Sequence, residues 1–191
     1  MFRAFCLFIF RITGWKTDTN TPSEIKRCIV IAAPHTSNGD FWYAMAFFAI
    51  YRLNIRYTIK KEWMQFPFSL ITKPLGGIAI DRSAHKENEE RISHTEAMIN
   101  LFKNEKELIV LITPEGTRNK QEHWKTGFYH IAKAAGVPIC LGYIDYKNKI
   151  AGIAKTIYPT DMETNMKEIM AFYKTKHGKF PEKFSADINY E

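Results

Sequence analysis

RCIVIAAPHTSNGDFWYAMAFFAIY, residues 27–51, contains a change of pattern from which the rest of the chain can be read. Arg27 to Ala33 is a continuous apolar run of strand length, so a buried strand is expected. Phe41 to Tyr51 is apolar almost all round and predicts a buried helix. Between them lies a polar loop rich in Ser, Asn and Gly, carrying His35 and, five residues later, Asp40. Such a turn can fold the carboxylate back onto the imidazole. One ring nitrogen would then donate to Asp40, leaving the other to accept a proton from a hydroxyl. Taken alone, the same pair also fits a surface loop or a helix N-cap.

Further along, apolar runs and helical patterns keep alternating. Short strands are expected at Ile55 to Ile59, Gly76 to Ile80, Leu108 to Thr113, Val137 to Tyr143 and Ile150 to Tyr158. A short helix is expected over Glu62 to Thr72, interrupted at Pro67. A longer one is expected over Ala84 to Lys103, with Ile92, Met98, Ile99 and Phe102 on one stripe. Phe128 to Ala135 predicts a helix closed by Gly136. Thr160-Asp-Met-Glu163 matches a capping box opening a helix that ends near Gly178. The order predicts an α/β single-domain sandwich, its central sheet mixed but largely parallel and flanked by helices. In such sheets the chemistry belongs to loops at strand ends.

The chain has 191 residues, 46% hydrophobic, with a formal charge of +7. That is enough for one well-buried core, and the basic balance points to an anionic partner. The cations are dispersed and form no basic helix or aromatic-basic stripe, which argues against nucleic acid. Cys6, Cys28 and Cys140 lie in apolar surroundings and predict buried thiols, not a disulfide or zinc framework. The other histidines lack ligand spacing, so no metal and no tightly held cofactor are expected. Residues 1–24 form an apolar segment, MFRAFCLFIF, followed by a polar connection; residues 25–191 form the domain. The apolar segment is too short to span a bilayer, which takes about 20 residues. It reads two ways: a helix packed on the domain, or a wedge in an anionic membrane interface beside Arg3, Arg11 and Lys16.

Three further segments fall where strand-end loops are expected. Gly77-Ile-Ala-Ile-Asp-Arg82 ends a strand with a guanidinium suited to phosphate, or with a plain surface ion pair. Thr113-Pro-Glu-Gly-Thr-Arg118 follows a hydrophobic strand. Gly116 permits close backbone approach there, and Glu115, Thr117 and Arg118 can hold hydroxyls and a phosphate. Trp124-Lys-Thr-Gly127 adds the cation Lys125. Together these blocks resemble the glycerolipid acyltransferase family, typified by lysophosphatidic acid acyltransferases. His35 to Asp40 is similar to its His-x4-Asp block, Ile80-Asp81-Arg82 to its second and Pro114 to Arg118 to its third. Val137-Pro138-Ile139 is similar to its fourth, and Tyr57 to Phe68, with Lys60-Lys61-Glu62, to the segment between the first two.

The resemblance implies transfer of a fatty acyl group from acyl-CoA or acyl carrier protein, as co-substrate, to a lysophospholipid hydroxyl, 1-acylglycerol 3-phosphate foremost. It implies His35 as general base and Asp40 as its orienting carboxylate. Arg82, Glu115, Gly116, Thr117 and Arg118 would position the glycerol phosphate end, with Lys60 and Lys125 added mainly on charge. It further implies phospholipid biosynthesis at the cytoplasmic face of a membrane, held peripherally. A thioester is already activated, which agrees with the lack of a Gly-x-Ser-x-Gly nucleophile elbow. A thioesterase using the same pair, and an acyltransferase for an amine or non-glycerol lipid, remain open. Apolar residues of Phe41 to Phe48 or Trp63 to Phe68 could line an acyl tunnel or be ordinary core.

Overall fold

In the computed structural model, which describes residues 2–22, 25–60, 64–80 and 94–190, the apolar runs become strands and the apolar stripes become helices. The strands are β1 (Lys16–Thr17), β2 (Arg27–Ala32), β3 (Ile55–Lys60), β4 (Gly77–Ile80), β5 (Leu108–Ile112), β6 (Ile139–Asp145) and β7 (Ile150–Ile157). The helices are α1 (Phe2–Thr13), α2 (Gly39–Tyr51), α3 (Ser69–Thr72), α4 (His94–Asn104), α5 (Gly127–Ala135) and α6 (Met162–Tyr173). The strands form one sheet in the order β1-β7-β6-β2-β5-β3-β4, parallel from β6 to β4, with β7 antiparallel to β6.

β2 is continuous in its apolar character because both faces are covered. Ile29 and Ile31 pack on one side, with Met98 and Phe102 of α4, Phe128 and Ile131 of α5 and Ile169 and Tyr173 of α6. Cys28 and Val30 pack on the other, with Cys6 and Phe10 of α1 and Met45, Phe47 and Phe48 of α2. The chain leaves β2 into α2 on one face, and leaves the adjacent parallel β5 into α5 on the opposite face. Loops diverging in this way open a crevice beyond the carboxyl ends of two neighbouring strands. The His35 loop and the Glu115 loop are the two that diverge.

Several boundaries differ from expectation. β1 was not expected: two residues of the polar connection pair with β7, Lys16 opposite Ile150. Residues 64–68 form turns before the short α3, where a longer helix was expected; residues 61–63 lie outside the described residues. Of the expected Ala84 to Lys103 helix, residues 84–93 lie outside the described residues, and α4 carries Met98 and Phe102 into the core. The N-cap of α6 is Asp161, one residue past Thr160, and its carboxylate accepts the Thr164 N–H at 2.8 Å. A carboxylate suits the positive helix end better than a hydroxyl, and Thr160 is already engaged through its N–H by Asn165 Oδ1.

α6 also stops at Tyr173, not near Gly178, and the tail turns back over the strand ends. Phe180 N–H donates to Thr36 Oγ1 at 3.2 Å. A Cβ on Gly178 would lie 2.8 Å from the same oxygen, so only glycine lets the tail pass. Further on, Asp187 Oδ2 accepts the Trp124 N–H at 2.8 Å, and Trp124 Nε1 donates to the Ser185 carbonyl at 3.0 Å. The tail thus ties down both loops of the crevice.

The fully buried Tyr173 hydroxyl lies 2.8 Å from the Ile31 carbonyl and 2.9 Å from that of Gly142, on adjoining strands β2 and β6. Tyr173→Phe is expected to cost about 1–3 kcal/mol, the penalty for buried carbonyls left short of a donor. Urea denaturation checks this; a loss under about 0.5 kcal/mol, the usual size for an uninvolved surface position, would show the bond contributes little.

Candidate active site

β2 ends at Ala32, the Ala33–Pro34 bond is cis, and residues 35–38 turn into α2. That turn delivers Asp40, on the first turn of α2, against the imidazole. His35 Nδ1 lies 3.2 Å from Asp40 Oδ2, and the side chains are 19% and 5% exposed. Asp40 Oδ2 also accepts the N–H groups of Thr36 and Ser37, each at 2.9 Å. Its Oδ1 accepts the Ser37 hydroxyl at 2.7 Å and the Tyr146 hydroxyl at 2.8 Å. Burial alone would raise the Asp40 pKa. The bonds from His35, Ser37 and Tyr146 outweigh it and hold the carboxyl below its usual range. The arrangement keeps Asp40 charged and commits Nδ1 to it, leaving Nε2 as the nitrogen free to take a proton.

Glu115 comes from the loop after β5 and is buried. Its Oε1 accepts the backbone N–H of His35 at 2.7 Å, joining the two loops. Its Oε2 has no partner among the described residues. Burial pushes the Glu115 pKa up to about 7; the His35 N–H opposes the rise and the Asp40 charge adds to it.

Beyond Glu115 the loop bends at Gly116, with φ at +69°, and Gly116 N–H donates to the Thr113 carbonyl at 3.1 Å. A Cβ there would sit 2.9 Å from Lys125 Cε and Nζ, so the lysine side chain lies across a bare backbone. Lys125 N–H donates to the Pro114 carbonyl at 2.9 Å, which fixes the crossing. Thr117 is half-buried and Arg118 exposed, and no carboxylate pairs with Arg118 among the described residues.

The structure therefore brings His35, Asp40, Glu115, Gly116 and Lys125 together in two touching loops, with Thr117 and Arg118 next along the second. Lys60 is the last residue of β3, on the same carboxyl edge; its side chain, like Arg82, lies outside the described residues. The sequence reading missed Ser37 as a donor, although it lies within the quoted loop. It also missed Tyr146, whose only signal is its position at the exit of β6, a strand paired with β2. Of the tunnel candidates, Phe47 and Phe48 are core, while Phe66 and Phe68 are exposed. Among the described residues no cluster of side chains could hold a metal ion.

Residues 16–141 match the family model described as Acyltransferase. The fold is similar to that of the crystallised 1-acyl-sn-glycerophosphate (LPA) acyltransferase PlsC from Thermotoga maritima. That match has a TM-score of 0.61 at 18% identity and covers 91% of this chain and 75% of that one. No curated protein sequence matches the chain.

A raised carboxyl pKa makes a definite demand on stability. Folded Glu115 holds its proton up to about pH 7, whereas unfolded Glu115 releases it near 4.5, so its contribution to stability falls as pH rises between them. Glu115→Gln removes that slope while leaving an oxygen for the His35 N–H. The variant is expected to gain on wild type from pH 5 to pH 8, by up to about 3 kcal/mol. Thermal or urea unfolding at the two pH values checks this; a pH-independent difference would mean that Glu115 ionises as an ordinary glutamate.

Proposed function

This chain belongs to the acyltransferase family, and within it we propose that the chain acylates the hydroxyl of a lysophospholipid. The donor is the thioester of acyl-CoA or acyl carrier protein, and 1-acylglycerol 3-phosphate is the first acceptor to test. The carrying observation is the contact of His35 Nδ1 with an Asp40 carboxylate that is kept ionised. In the proposed reaction His35 Nε2 takes the acceptor hydroxyl proton as that oxygen attacks the thioester carbonyl. Asp40 stabilises the imidazolium that forms. When the tetrahedral intermediate collapses, the C–S bond breaks and the leaving sulfur takes the proton from the imidazolium. The sequence is redox-neutral, since one C–O bond replaces one C–S bond.

A phosphate on the acceptor is supported by the Gly116 to Arg118 turn. There Lys125 already lies across the backbone and Arg118 offers a bidentate fork. By resemblance, Arg82, Glu115 and Thr117 join this grip, and Lys60 adds charge.

The expected site of action is the cytoplasmic face of a membrane, with peripheral attachment through residues 1–24. Among the described residues no helix is long and apolar enough to cross a bilayer. α1 buries Cys6 and Phe10 in the core and exposes Phe2, Phe5, Leu7, Phe8 and Ile12. Arg11 and Lys16 beside that face are exposed and suit anionic headgroups.

Two measurements test the reading. With a labelled acyl thioester and a lysophospholipid panel, wild type should form acylated product, and His35→Ala should be slower by about 10²–10⁴-fold, the usual worth of a general base. Thioester cleavage without acylated product would favour the thioesterase, and acylation of an amine lipid would move the acceptor class. For attachment, Phe5→Ser/Phe8→Ser should weaken binding to phosphatidylserine-containing vesicles by about 100-fold or more, since each buried phenylalanine contributes about 1.5–3 kcal/mol. Unchanged binding in sedimentation would refute the anchor.

A further inference from the structure

Tyr146 lies outside every sequence block that carries the family resemblance, yet its hydroxyl is 2.8 Å from Asp40 Oδ1. Its position follows from topology. β6 runs parallel to β2, so the residue just past Asp145 emerges on the same edge as the His35 loop. Three contacts fix the residue there. Trp15 packs edge-on at 5.2 Å and Tyr43 at 5.6 Å, the two being stacked on one another at 4.1 Å. Its own N–H donates to the His177 carbonyl at 2.9 Å, tying it to the returning tail. A pocket of about 580 Å³, lined by Ile12, Trp15, Tyr43 and Lys149 among others, opens beside the ring. Tyr146 is therefore not simply a plug in a closed core.

The two oxygens of Asp40 are served differently. Oδ2 is shared by the imidazole and two backbone N–H groups, all from the loop that carries His35. Oδ1 is held by two hydroxyls, of which Ser37 moves with that same loop. Among the described residues, Tyr146 is the donor that reaches Asp40 from another strand.

We propose that Tyr146 is a positioning residue for the reaction, its O–H referencing the Asp40 carboxylate to the sheet so that Oδ2 stays aligned on His35 Nδ1. This rests on the reading of His35 and Asp40 as the base and its orienting carboxylate. The ionisable groups that act on Asp40 are His35, Tyr146 and, from the loop after β5, Glu115; Tyr43 acts on Tyr146. Burial raises the Tyr146 pKa above the ordinary phenol value, so its hydroxyl remains a donor across the working pH range. Without that donor, Oδ1 keeps only the Ser37 hydroxyl, and the carboxylate is held by the His35 loop alone.

Tyr146→Phe removes the hydroxyl and keeps the ring. In the thioester assay with the lysophospholipid acceptor, kcat is expected to fall by about 10- to 100-fold, the range for a hydrogen bond to a charged group, with KM within twofold. The thermal midpoint is expected to stay within a few degrees. Tyr146→Leu, which also removes the ring, should lose thermal stability as well and so separates packing from the hydroxyl. Wild-type kcat in Tyr146→Phe, with activity abolished in His35→Ala, would overturn the inference and leave the His35–Asp40 reading intact. Full activity in His35→Ala would overturn that reading itself, and the inference with it.

Discussion

A buried carboxylate that must stay charged is the constraint on which the crevice depends. Leaving Asp40 without donors would make its ionised form prohibitively unfavourable, and the group would protonate instead. It meets two N–H groups, two hydroxyls and an imidazole. These come from a loop folded tightly onto itself and from a strand exit more than 100 residues later in the chain. Satisfying the charge therefore requires that β2, α2 and β6 be in place. The local chemistry and the topology are the same problem.

The sheet order solves it. β2 lies between β5 and β6 and is parallel to both, so three strand exits crowd one edge: His35 after β2, Glu115 after β5 and Tyr146 after β6. The bond from His35 N–H to Glu115 Oε1 closes one side of the crevice and the Tyr146 bond the other. The tail after α6 then fastens the result, at Thr36 on the first loop and at Trp124 beside the second. α1 is connected to the same group through Trp15, which follows the helix after Gly14 and packs against both Tyr43 and Tyr146.

What was legible in the sequence is what local pattern controls. Arg27 to Ala33 could be recognised as a buried strand because its apolar run has strand length, and Met98 with Phe102 as a core stripe because their spacing is helical. His35 and Asp40 could be paired because the turn between them, rich in Ser, Asn and Gly, can fold the carboxylate back onto the imidazole. Tyr146 could not be found in this way. It belongs to the site only once β6 is known to pair with β2, and that is a long-range fact without a local trace. The early stop of α6 was hidden for a similar reason: past the Thr175 hydroxyl, which donates to the Phe172 carbonyl at 2.7 Å, the tail finds its partners on loops far away in sequence. The shift of the N-cap from Thr160 to Asp161 depends on Asn165 claiming Thr160, again a contact that a motif does not record.

The two carboxyl groups beside His35 show how environment divides like residues into unlike roles. Both are buried, and burial alone would raise both pKa values. Asp40 has donors on each oxygen and stays below its usual range; Glu115 has one donor on Oε1, none on Oε2 among the described residues, and rises to about 7. Asp40's charge contributes to that rise, so satisfying the first carboxylate makes ionising the second harder. One negative charge is thus permanent at the imidazole, while a second appears only as pH passes neutrality. Below that point Glu115 is neutral beside the backbone turn of Gly116 and the cation of Lys125. An anionic group approaching that turn then meets one fixed carboxylate, already engaged by five donors, instead of two. The donors on each carboxyl, four of Asp40's five from its own loop and one from the exit of β6, decide which of the two carries the charge.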